Sequence, residues 1–557
     1  MRKSLIAAIV VLALLAISVP VLTALLPENR IENITKYQHE VNAEANPQIG
    51  SSTLPDDFIL DDTFVTHLPI VVIDLKGNTI PNIYKWTADG KGREYTEEGL
   101  KNPNPWAEMT ITIIDNDNNE NRLSDKPELV NNGKIKLRGM TSRGYDKKQY
   151  GIKLMNGAEE LETSIMGMDS DEDWVLSNSI IDMSGIRNYL ALNIGRQIMP
   201  FTSEVRFCEV VFKDGDTYTY QGLYLMLEKV KKAEGAINID DYNEKAASLN
   251  YVVCRDRYDK TRLTLSTWAS DQQLCYGYFT MEYPQEELLS PAAIERIQAE
   301  LSKIESVLYS DDPKKFLKYR NYLDVDSFVD YFIINEFFLN YDAGNNSTYY
   351  YKTHEGKLAI GPLWDYDGAI DNYHLGMADL EYSSFANQPW FEKLITDEYF
   401  QNKVLERYEE LRNTVLNEDY INDFIDDSFE YLGNARLRDY QRWETSFDEK
   451  HRLPSGENSE GFLINRDYGD PEGDKDRIKD LLSIHGNWMD EHLKESIAYR
   501  VNEDIVEESE FDPTGIAVIG ILAFAAIPVG SNSDSSTISS LTLYAIDSFR
   551  CSSIQLP

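Results

Sequence analysis

The stretch that most constrains this chain is 328–372, where an apolar helix pattern runs into two acidic loops joined by a hairpin. Phe328-Val329-Asp330-Tyr331-Phe332-Ile333-Ile334-Asn335-Glu336-Phe337-Phe338-Leu339 reads as the helix. It stops at Asn340-Tyr341-Asp342-Ala343-Gly344-Asn345-Asn346, where glycine and asparagine tolerate the left-handed backbone that ends helices. Residues 347–352 alternate toward strand, Glu355-Gly356-Lys357 turns, and 358–360 returns. The hairpin then delivers Trp364-Asp365-Tyr366-Asp367-Gly368. This is the layout phosphoryl transfer needs: one carboxylate for a hydroxyl proton, an amide for metal, and a second carboxylate for Mg²⁺ on the phosphates. Taken alone, most such acidic loops are only solvated turns.

A chain of 557 residues exceeds a single core, so two lobes with flanking segments are expected. Apolar content of 42% and aromatic content of 11% fit a folded protein. The formal net charge of -40 disfavours nucleic acid and anionic membrane surfaces as partners. It suits solubility, basic partners or divalent cations. Met1-Arg2-Lys3 precedes an apolar run over 5–26, long enough to span a bilayer with the positive end cytoplasmic. Residues 1–27 therefore read as a signal anchor, with a cleaved signal peptide as the rival. Either way the rest of the chain is expected outside the cytoplasm. Of four cysteines, no pair has zinc-ligand spacing. Cys254 and Cys275 can form a disulfide in an oxidising compartment, although buried free thiols are commoner in so cysteine-poor a chain.

Residues 28–67 are polar and aperiodic and read as a tether. Strand patterns begin at 68 and dominate to 283, giving a strand-rich N-lobe. Within it, 134–154 places two alternating strands around a loop with two glycines, two hydroxyls and several cations, suited to phosphate oxygens. Lys153 in mid-sheet is costly unless it meets an anion. A solvent-facing lysine on an edge strand is the plain alternative. Asp115-Asn116-Asp117-Asn118-Asn119-Glu120-Asn121 has calcium-loop composition but lacks the glycine and closing glutamate, so it reads as a solvated turn. Arg187 and Asn188 open a helical pattern, where a charged contact to a neighbouring loop is one reading and ordinary capping the simpler one. The strand ending in Leu225-Met226-Leu227-Glu228 would pass the adenine of a two-lobed nucleotide enzyme. Residues 284–500 form a helical C-lobe opened by Ser290-Pro291. The tail, 501–557, carries a short apolar segment at 515–529.

Three blocks resemble the bacterial spore coat protein H (CotH) family of atypical secreted protein kinases. They are Leu137-Arg138-Gly139 through Ile152-Lys153-Leu154, then Gly222-Leu223-Tyr224-Leu225-Met226-Leu227-Glu228, then Asn335-Glu336-Phe337 through Trp364-Asp365-Tyr366-Asp367-Gly368. The resemblance spans 68–493 and implies an α+β, two-lobed, atypical kinase-like fold. Carried over by position, Asp342 is the catalytic carboxylate and Asp365 the magnesium ligand. Asn346 is a further ligand, and Asp367 supports the metal or its loop. Lys153 resembles the phosphate-pairing lysine, with Arg138 and Ser142 beside the phosphates and Glu228 on the nucleotide side. The implied cofactors are ATP and Mg²⁺, with Mn²⁺ a possible substitute. The implied acceptor is a protein of the cell surface or coat. The chain has no Gly-x-Gly-x-x-Gly run, so its loop over the nucleotide differs from that of ordinary protein kinases.

Other readings stay open on the sequence. The fold can serve as a catalytically silent scaffold of the envelope or coat. Paired carboxylates can serve glycoside hydrolysis, with Glu336 or Asp342 as acid and Asp365 as base, although the Asp-x-x-x-Asn spacing favours metal. Transfer of AMP on the same fold is a further variant.

Overall fold

Alternation of apolar residues builds the first half of the fold. The computed structural model describes residues 37–501 apart from 87–92, 103–104, 140–141, 234–235, 257–262, 266–277, 341, 355, 373–379, 384 and 445–469. The 1–27 segment, the tail beyond Val501, Cys275 and Cys551 lie outside the described residues. Among the described residues nine strands pair in one sheet, two of them the short edge pieces Ile59–Leu60 and Glu159–Glu160; the other seven are β1 (Ile70–Asp74), β2 (Ala107–Ile114), β3 (Leu129–Leu137), β4 (Tyr150–Asn156), β5 (Asp173–Ser177), β6 (Val205–Asp214) and β7 (Thr217–Glu228). Their order is β7-β5-β4-β3-β2-β1-β6, and β6 also pairs with β7, so the sheet closes on itself. The β1–β6 pairing is parallel and the others in this ring are antiparallel.

Side chains of period two sort to the ring's two faces. Ile111, Ile135, Ile152, Trp174 and Met226 share one buried cluster. On the opposite face Lys136, Gly151, Val175 and Leu227 stand in register across four strands. A second sheet has the order β9-β8-β10-β11, from β8 (Tyr251–Asp256), β9 (Tyr278–Tyr283), β10 (Thr348–Lys352) and β11 (Ala359–Ile360). The hairpin expected after the apolar helix thus joins strands from before residue 283.

The helices are α1 (Gln38–Val41), α2 (Arg187–Ile198), α3 (Pro291–Leu308), α4 (Val325–Phe337), α5 (Glu398–Arg412), α6 (Glu418–Trp443) and α7 (Pro471–Ala498), besides shorter turns. Ser290 caps α3 by accepting from the Ala293 N–H, and Asp324 caps α4 through Ser327. Helix α4 is buried through most of its length, and its buried polar residues Asp330, Asn335 and Glu336 are each paired. Helices α5 and α7 pack on it. The class is α+β. Among the described residues, no helix is long and apolar enough to cross a membrane.

Residues 37–67 correct the tether expectation. Tyr37, Gln38 and His39 are buried. The Gln38 amide donates to the Phe207 carbonyl at 3.1 Å and accepts from the Phe207 N–H at 2.6 Å, mimicking a strand partner for β6. Further on, the Pro47 carbonyl accepts from Asn434 N–H at 2.8 Å. There α6 breaks at Gly433 (φ 44), where a Cβ would lie 2.0 Å from the Pro47 oxygen. Only glycine fits. The segment was unreadable because its docking uses side-chain amides and backbone, which leave no apolar period.

Candidate active site

The lysine–glycine face of the ring, the second sheet and the loops after α4 and β11 enclose a cavity of ≈ 810 Å³, a volume that suits a nucleotide-sized ligand. Asp342, Asn346, Asp365 and Asp367 line it from the loops after α4 and β11, and Arg138 and Ser142 from the β3–β4 loop. The structure therefore brings six of the eight residues singled out in the sequence to one cavity.

The first loop is held by its own side chains. The Asn346 N–H donates to the Asp342 carbonyl at 3.0 Å, and the Asn346 amide donates to Asp342 Oδ1 at 2.7 Å. The four-residue spacing thus closes a turn that presents both groups together. Gly344 sits at φ +88, where a Cβ would approach Gln388 Cβ to 2.9 Å. Its N–H donates to Thr348 Oγ1 at 2.7 Å, tying the loop to β10.

The second loop, 365–372, holds three non-glycine residues at positive φ: Asp365 (67), Ile370 (54) and Asp371 (51). Such backbone costs energy unless its surroundings enforce it. Asn188 Oδ1 accepts from the Tyr366 N–H at 2.7 Å, and the Tyr366 hydroxyl donates to Asn335 at 2.6 Å. Asp365 is exposed, but into the cavity, so protein surrounds it at longer range. The Ser347 hydroxyl lies 3.4 Å from Asp365 Oδ2. Burial, then repulsion by Asp342, raises the Asp365 carboxyl above its usual range. Burial, then Asp365, pushes Asp367 well above the carboxylate range. Crowded carboxylates of this kind are relieved by a cation.

Opposite them is positive charge. Gly151 has no side chain, and a Cβ there would stand 3.2 Å from Arg138 Cδ and 3.4 Å from Lys136 Cε. The bare glycine lets the Arg138 stem lie across β4, with its guanidinium 5.5 Å from the centre of the Trp364 ring. Arg138 partly offsets the rise at Asp365. The Ser142 hydroxyl folds back toward the Arg138 carbonyl at 3.4 Å.

Lys153 and Glu228 stand off the cavity wall. Lys153 pairs with Glu160, and its Nζ lies 3.5 Å from Asp173. Glu228 is 2% exposed and accepts from the Glu204 N–H at 2.9 Å. Its carboxyl is pushed up to about 8, first by burial. Glu336, the hydrolytic alternative, is fully buried and accepts from the Phe385 N–H at 2.8 Å and from Ser383. It is structural.

Among the described residues, no three His, Cys, Asp or Glu side chains cluster as a metal group. Asp365, Asp367 and Asn346 nonetheless offer two carboxylates and an amide, a donor set suited to Mg²⁺ that completes its shell with water and phosphate oxygens. The sequence offered a loop contact for Arg187 and Asn188 second to capping, but neither caps α2: Asn188 anchors the acidic loop and Arg187 pairs with Asp474, while Asn335 and Asp474 went unremarked. The only signal was the polar Arg187-Asn188 opening of α2.

Facing acidic loops and a cationic wall thus meet around one cavity of an α+β protein. The family model described as CotH kinase protein matches residues 135–466, more than half of the chain. The chain belongs to the CotH kinase family. The resemblance read from its three blocks holds over a narrower span than 68–493. No curated protein matches the chain.

Proposed function

We propose that the chain is an extracytoplasmic protein kinase with a two-lobed, atypical kinase-like fold. It transfers the γ-phosphate of ATP to hydroxyl side chains of surface or coat proteins. The observation that carries this is the meeting of the Asp342–Asn346 turn, the Asp365–Asp367 loop and Arg138 on one cavity. The acceptor hydroxyl gives its proton to Asp342 as its oxygen bonds the γ-phosphorus, and the bridging oxygen leaves with ADP. Asn346 holds the Asp342 carboxylate in orientation. Asp365, Asp367 and Asn346 would hold Mg²⁺ or Mn²⁺, which neutralises charge on the phosphates when bound. Arg138, just past the end of β3, would meet the phosphates across the cavity. The apolar run 5–26 supports a membrane-anchored or secreted protein, and the acidity of the chain supports basic protein acceptors over nucleic acid.

The test uses the purified full chain with ATP labelled at the γ- or the α-phosphate, with and without Mg²⁺ or Mn²⁺. Metal-dependent γ-label on a protein acceptor, abolished in Asp342→Asn with an unchanged unfolding midpoint, is expected. Transfer of α-label would replace this reading with AMP transfer. Normal turnover by Asp342→Asn would refute the assignment of the carboxylate. Partner capture that survives both Asp342→Asn and Asp365→Asn, with no transfer, would establish a scaffold.

A further inference from the structure

Helix α7 begins beyond the matched segment 135–466, yet it holds both ends of the strained 365–372 loop. At the far end, Arg477 Nη2 lies 2.9 Å from Asp371 Oδ2 and donates to the Asp371 carbonyl at 3.2 Å. These contacts grip one of the three positive-φ residues directly. At the near end, one turn earlier on the same face of α7, Asp474 accepts from both terminal nitrogens of Arg187 at 2.7 Å. It also accepts from the Ser184 N–H at 2.8 Å. Arg187 is fully buried and adjoins Asn188, whose amide oxygen takes the Tyr366 N–H beside Asp365. Arg187 also binds Asp182 at 2.6 Å. Next to Asp182, the Ile181 carbonyl accepts from Asn372, whose amide also reaches the Asp367 carbonyl at 2.6 Å.

Three non-glycine residues at positive φ do not persist in so short a loop unless packing and hydrogen bonds over-determine them. Two residues of α7 supply constraints at both ends, beside those from α4, where Asn335 takes the Tyr366 hydroxyl and the Phe338 carbonyl takes the Ile370 N–H at 2.8 Å. We propose that α7 is part of the catalytic unit and that Arg477 is the positioning residue that sets the cation-binding carboxylates through Asp371, with Asp474 acting through Arg187 and Asn188. This rests on the kinase reading above. It adds that the matched segment alone lacks the element that shapes its metal loop.

The experiment compares full-length wild type, Arg477→Met, Arg477→Lys and Asp365→Asn. Arg407→Met is the control, since it removes an ion pair of 2.8 Å to Asp330 between α5 and α4, away from the loop. Two quantities are read: Mn²⁺ affinity by electron paramagnetic resonance with a non-hydrolysable ATP analogue, and transfer rate against Mg²⁺ concentration. Loss of an outer-shell support costs roughly 10–100-fold in metal affinity. Arg477→Met is expected to raise the Mg²⁺ and Mn²⁺ requirement by that factor, with the KM for ATP unchanged. Arg477→Lys should fall between, and Arg407→Met should show wild-type metal dependence. The same metal dependence in Arg477→Met as in wild type, or an equal shift in Arg407→Met, overturns the inference alone. If wild type shows no Asp365-dependent Mn²⁺ binding with the analogue, the kinase reading fails first and takes the inference with it. Unfolding midpoints are measured throughout. Should Arg477→Met not fold, Arg477→Lys carries the same comparison.

Discussion

Arg138 and Lys153 show what single residues can and cannot reveal in sequence. Lys153 lies on β4 and Arg138 just past the end of β3, on either side of the same loop, and the pattern of charges does not rank them. The structure separates them by what lies alongside. Lys153 is engaged by Glu160 and Asp173, while Arg138 crosses the bare Gly151 toward Trp364 and the acidic loop. A lost hydrogen bond to a charged group is worth about 1.5–3 kcal/mol. Arg138→Met is therefore expected to raise the KM for ATP by roughly ten- to a hundredfold, and Lys153→Met by less than about threefold. Steady-state kinetics on the two variants decide it, and the reverse ranking would return the phosphate role to Lys153. Asp342 and Asn346 were legible as a pair because the turn that presents them is local. Asn188 and Asp474 were not: the Tyr366 contact is 178 residues away from Asn188, and Arg187 lies 287 residues from Asp474.

Among elements, legibility followed periodicity. β2 and β3 alternate with a period of two, β1 is a short apolar run, and α4 carries a cap and a mostly apolar sequence, so each was readable. Closure of the ring was not, because β6 pairing with both β1 and β7 is a long-range fact with no local mark. The segment at Gln38 marks the opposite limit: polar residues that become structural by substituting for a strand. Gln38→Ala would leave the Phe207 N–H and carbonyl without their buried partner. Each such orphan costs about 1–3 kcal/mol. The variant is expected to lose about 2–5 kcal/mol in urea unfolding, and a wild-type midpoint would show that the segment only rests on the ring.

For the molecule as a whole, a charge of -40 hides a few groups that burial keeps neutral. Burial lowers His39 and His67 from 6.5 to about 4, and raises Glu228 from 4.5 to about 8. The signs oppose. Each buried histidine is neutral in the fold but binds a proton when unfolded below pH 6.5. Its contribution is therefore present above that pH and is lost on acidification toward 4. Glu228 keeps its proton in the fold while the unfolded chain releases it above 4.5. Its contribution is present below 4.5 and is lost as pH rises to 8. Each group changes stability by about 1.4 kcal/mol per pH unit within its window. Between 4.5 and 6.5 the two histidines outweigh the one glutamate and stability rises with pH. Above 6.5 only Glu228 acts and stability falls. These three groups alone place a maximum near pH 6.5, and comparison with a variant cancels the background of surface carboxylates. Glu228→Gln is expected to gain on wild type steadily from pH 4.5 to 8, by about 2 kcal/mol over the last one and a half units. Denaturant midpoints across that range test it. A wild-type-to-variant difference independent of pH would mean that Glu228 ionises inside the fold, with Arg196 and the Glu204 N–H holding its charge.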